Sequence, residues 1–62
     1  MKKVIGYLVK DRNGDVIGAT ANEGEAIYIA VRLKGIVYKV VTTLISFEDP
    51  TTEKTIIYNG MI

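Results

Sequence analysis

The chain has 62 residues with no cysteine and no histidine, and its eight Lys and Arg against seven Asp and Glu leave a net charge of +1. A chain of this length is one domain, residues 1–62, that buries only about 60% of its unfolded surface, with no disulfide or zinc site to reinforce it. The interspersed, near-neutral charge argues against a nucleic-acid or anionic-membrane footprint, and the missing His and Cys remove the commonest general base and the strongest nucleophile.

Met1-Lys2-Lys3 followed by an apolar run imitates the opening of a secretory signal, but the run stops at Lys10 and no cleavage region follows. The segment from Lys3 to Arg12 therefore reads as the first strand. Alternation puts Val4, Gly6 and Leu8 on one face and Ile5, Tyr7 and Val9 on the other, so both faces are apolar. Asn13-Gly14 is the signature of a two-residue type I′ turn. That turn would set Arg12 opposite Asp15, Lys10 opposite Ile17, Leu8 opposite Ala19 and Tyr7 opposite Thr20, with the second strand from Asp15 to Ala21. Asp11, Asn13 and Asp15 also match the opening of a calcium loop. Val16 stands where that loop needs glycine and Asn22 where it needs a bidentate glutamate, so no metal is expected.

Asn22 reads as a helix N-cap with Glu25 as its capping-box partner, and Gly35 as the C′ residue that closes the helix after Lys34. Ala26, Ile27, Ile29, Ala30, Val31 and Leu33 span a broad apolar arc, which predicts deep burial, and Glu25, Tyr28 and Arg32 form the polar stripe. The small residues Gly6, Ala19 and Ala21 suit close approach by Ala26 and Ala30, so the helix is assigned to that sheet face. Arg32, Lys34 and Lys39 interrupt the apolar stretch too often for a membrane span.

β-Branched residues then dominate from Ile36 to Phe47, predicting a long third strand. Residues Glu48 to Glu53 read as a turn around Pro50, Thr55 to Tyr58 as the fourth strand, and Asn59-Gly60 as its end or bend. Met61 and Ile62 are expected to dock. The fold class is α+β: a small ββαββ domain with an antiparallel four-stranded sheet in the order 2-1-3-4. One helix packs on one face, and the other face lies in an oligomer interface.

Ile5, Tyr7, Val9 and Thr20, with Met61 and Ile62, are the expected interface residues, because the face they occupy is left without a helix. Tyr28 with Arg32, one helical turn apart, is the first candidate for holding a ligand, the arginine for charge and the ring for stacking; Tyr58 with Asn59 is the second. No catalytic residue, metal ligand or cofactor is expected. The chain reads as a cytoplasmic, non-enzymatic homodimer or higher oligomer that sequesters a small anionic, nucleotide-like ligand at subunit junctions. The alternatives are an inhibitor or adaptor that docks on a host protein through a sheet edge or apolar face, and a small nucleic-acid-binding regulator, which one net charge supports poorly. In size and plainness the chain resembles the very small accessory proteins that phages and mobile elements use to bind or block host components, a resemblance carried by no motif.

Overall fold

The computed structural model describes residues 2–60; the expected docking of Met61 and Ile62 lies outside them. Strands β1 (Lys2–Lys10) and β2 (Val16–Thr20) form a hairpin, helix α1 (Glu23–Leu33) follows, and β3 (Ile36–Leu44) and β4 (Thr51–Asn59) form a second hairpin. All neighbouring strands are antiparallel and the sheet order is β2-β1-β3-β4, as the ββαββ reading expects.

The first turn has three residues rather than two. The Asp11 N–H donates to the Asp15 carbonyl at 2.9 Å, and the Gly14 N–H donates to the Asp11 carbonyl at 3.0 Å. Gly14 alone in the turn takes a positive φ, +88°. This is a type I turn closed by a left-handed glycine, the usual three-residue hairpin loop. Asp11 selects it, because its Oδ1 accepts from the N–H groups of both Asn13 and Asp15 at 2.9 Å. The extra loop residue shifts the register, so Lys10 pairs with Val16 instead of Ile17. A bulge at Ile17 then shifts it back, and Leu8 pairs with Ala19 and Tyr7 with Thr20 as expected.

The helix begins as the sequence predicts. Asn22 is extended, and its Oδ1 accepts from the Glu25 N–H at 3.0 Å while its carbonyl receives the Ala26 N–H at 3.1 Å. Its end differs from the expectation, since Lys34, not Gly35, takes the left-handed conformation at φ 54° and ψ 44°. Gly35 is required for space: a Cβ there would sit 2.5 Å from the Lys10 carbonyl oxygen. The Gly35 N–H reaches back to the Ala30 carbonyl at 2.9 Å, and the Gly35 carbonyl receives the Gly60 N–H at 2.8 Å, tying the end of β4 to the end of the helix.

The second hairpin runs longer in β4 and shorter in β3 than expected. The turn lies at Ile45 to Glu48, where the Glu48 N–H donates to the Ile45 carbonyl at 3.2 Å, so Thr51 to Glu53 join the strand rather than the loop. Pro50 remains just outside the ladder, where its missing donor costs nothing.

The helix covers the face opposite to the one assigned from sequence. Val9, Val37, Ala26 and Ala30 are the fully buried hydrophobic residues, with Tyr7, Ile27, Ile29, Ile57 and Tyr58 packed around them. Val9 pairs with Val37, so alternation places Ile5, Tyr7 and Val9 of β1 on the helix side. Gly18 of β2 faces the helix, where a Cβ would stand in ordinary contact, 3.6 Å, with Ile29 Cδ1. A bulge beside Val37 turns both Ile57 and Tyr58 toward this core. The alanines thus meet the bulky face rather than the small one. Nor is the helix deeply buried, because Val31 and Leu33 remain exposed.

Candidate functional site

With the helix on that side, the bare face of the sheet is defined by register. One row across all four strands is Ala19, Leu8, Tyr38 and Ile56. The next is Gly6, Val40 and Lys54, and the one after is Val4, Thr42 and Thr52. None of these residues is buried, and Ile56 is 52% exposed. Over Gly6 the face carries a wide, open depression of about 410 Å³, lined by Gly6, Leu8, Ala19, Ala21 and Val40 together with Tyr7 and Thr20, which alternation turns to the helix side. Apolar residues fill the centre. The charged residues of this face are Lys2 and Lys10 at the two ends of β1 and Lys54 on edge strand β4, with no acid among the described strand residues that share it. The Lys10 Nζ stands 5.3 Å above the centre of the Tyr38 ring, a cation–π contact that keeps the ammonium at the rim. An apolar centre inside a polar rim is the anatomy of a docking surface.

The expected interface residues fall elsewhere. Val9 is fully buried beneath the helix and Tyr7 is half-buried against the same core, so neither offers a free surface. Thr20 is half-buried on their side, and its Oγ1 accepts from the Asn22 N–H at 3.1 Å, serving the helix start. Ile5 shares their face and is 46% exposed.

Of the candidate ligand pairs, the structure brings together Tyr28 and Arg32. They lie on the outer side of α1, where an Arg32 Nη1 donates to the Tyr28 hydroxyl at 3.2 Å and the guanidinium carbon stands 5.7 Å from the ring centre. With Ile29 and Leu33 they line a shallow depression of about 200 Å³. Its floor is apolar, its wall aromatic and its rim cationic, which suits a flat anionic molecule. Tyr58 and Asn59 are not brought together. Tyr58 pairs with Val37 and packs on the core, and Asn59 is its neighbour in the strand, pointing to the opposite face opposite Ile36.

Phe47 was missed from sequence as a surface feature. It stands at the third position of the β3–β4 turn with φ 67°, fully exposed. A bulky residue with positive φ is an outlier in protein backbones, and its strand-like composition gave no sign of it. Among the described residues no group of three or more acidic side chains is placed to hold a metal ion, and no helix is long and apolar enough to cross a membrane. Compared with protein-family models, curated proteins and solved structures, the chain matches none.

Proposed function

We propose that this protein is a non-enzymatic, cytoplasmic binding protein that works as a homo-oligomer and holds a small anionic, aromatic ligand, nucleotide-like in chemistry, against Tyr28 and Arg32. The observation that carries the reading is the imbalance between core and surface. Among the described residues Val9, Val37, Ala26 and Ala30 are the fully buried hydrophobics, two of them alanines, while Val4, Leu8, Tyr38, Val40 and Ile56 stand on an uncovered face. So small a core is marginal alone, and an exposed apolar face of this extent is a solubility liability unless something covers it. For the ligand, an apolar floor with one arginine and one tyrosine offers charge and stacking without a residue suited to general base catalysis. The Tyr28 and Arg32 depression is shallow and lies on the helix side of the sheet, away from the bare face, so a further wall for it would have to come from a separate subunit contact made by the outer side of α1.

Linear and cyclic nucleotides screened by thermal shift test the proposal. One or more should raise the melting temperature, Arg32→Ala should abolish that shift without changing the assembly, and the compound should be recovered unaltered. An altered compound would reveal an enzyme. If no member stabilises the protein, the docking reading takes precedence, favoured by Phe47, whose left-handed backbone holds a fully exposed ring at the tip of a hairpin.

A further inference from the structure

In its two central rows the bare face carries the small residues Ala19 and Gly6 on the β2 and β1 side, with Leu8 the one large side chain there. On the β2 and β1 side, Ala19 and Gly6 leave the hollow; a Cβ added at Gly6 would meet only the Thr20 carbonyl oxygen, 4.0 Å away. On the β3 and β4 side, Tyr38, Val40 and Ile56 project from the same two rows. A surface that carries both a hollow and the knobs to fill one is self-complementary under a two-fold axis.

The direction of that axis follows from the rows. An axis across the strands would stack each strand on its own copy, hollow against hollow. An axis in the interface plane that runs along the strands, between β1 and β3, lays β2 and β1 of one copy on β4 and β3 of the other. We infer that the bare face is covered by a second copy of this chain in this arrangement, with Ala19, Leu8 and Gly6 of each copy against Ile56, Tyr38 and Val40 of the other. The inference rests on the homo-oligomer reading above and gives it an interface.

Area fixes the position of the axis. Three strands of nine residues and one of five, about 4.8 Å apart and rising about 3.3 Å per residue, cover roughly 510 Å² in projection. Two such faces give about 1,000 Å², the least that a specific interface of good complementarity buries. The whole face is needed, so the axis must run through the middle of the sheet. Aligned sheets stack about 10 Å apart with an angle near 30°, which keeps the central rows in correspondence. The lysines are compatible with this. Lys2 lies at a strand end, the Lys10 ammonium must swing from the Tyr38 ring to the rim when the second copy covers that ring, and Lys54 falls on the edge, where its stem covers the partner's Ala21 and its ammonium reaches water.

A double-mutant cycle tests the pairing. Within one chain Ala19 and Ile56 are three strand spacings apart, about 14 Å, too far to couple directly. Ala19→Ile and Ile56→Ala should each weaken the dimer about tenfold by sedimentation equilibrium, and the two together should bring dissociation back to within about threefold of the original, since large and small have exchanged places. Both positions are exposed, so folding should survive. As an independent measurement, chains carrying Ala19→Cys mixed with chains carrying Ile56→Cys should be joined by a bis-maleimide short enough to span the gap between stacked sheets. A dimer whose two substitutions add without coupling, or whose mixed chains fail to cross-link, would overturn this pairing and leave the oligomer reading standing. A parent chain that sediments as one copy would remove both.

Discussion

Lys34 and Gly35 stand side by side at the end of the helix with opposite requirements. Lys34 holds a left-handed conformation that costs a residue with a Cβ about 1 kcal/mol, while Gly35 sits where a Cβ would strike the Lys10 carbonyl. Urea denaturation of Lys34→Gly should show a gain of about 1 kcal/mol, and of Gly35→Ala a loss of about 1–3 kcal/mol. A loss at position 34 would mean that the lysine side chain matters more than its backbone. From the sequence, a glycine after an apolar helix reads as the left-handed cap because that is its commonest use. Its actual role depends on a strand carbonyl 25 residues away, which local spacing does not contain.

At the scale of elements, local chemistry was legible wherever one segment decided the outcome. Asn22 capped the helix, Asn13-Gly14 marked the hairpin, and Pro50 fell outside the ladder, because each acts through its own or adjacent backbone groups. The register of Leu8 with Ala19 and Tyr7 with Thr20 agreed for a less simple reason: a three-residue loop and a bulge at Ile17 shift it in opposite senses. The side on which the helix lies was not legible. Both faces of β1 are apolar, and the choice depends on the sense of the β2–α1–β3 crossover and the phase of the pleat, neither of which is a property of composition. The two faces predict different mutational costs. Val9→Ala should destabilise by about 2 kcal/mol, whereas Val4→Thr on the bare side should change single-chain stability by less than about 0.5 kcal/mol. Stability of the disrupted dimer, taken from chemical denaturation of the Ile56→Ala chain at low concentration, separates the two. Equal losses would contradict the assignment of faces.

For the whole molecule, the candidate site divides in the same way. The Tyr28 and Arg32 pair was readable because i,i+4 spacing on a capped helix determines contact. Tyr58 and Asn59 point apart because they are neighbours in a strand, and Val9 and Tyr7 lie under the helix because it covers their face. What survived the change of face is the reason for expecting a partner: one helix covers one side of a sheet that is apolar on two. With four strands, one helix and four fully buried hydrophobic residues among the described residues, the fold holds little of its apolar surface away from water, and a second copy is the one partner present wherever the chain is made.

Sedimentation equilibrium of the unmodified chain between about 1 and 100 μM, with thermal unfolding followed over the same range, tests this self-association most directly. Mass action requires the melting temperature of an obligate dimer to rise with concentration. The bare sheet face predicts a mass of two chains and a melting temperature that climbs across the range; a mass of one chain throughout, with unfolding independent of concentration, would contradict it.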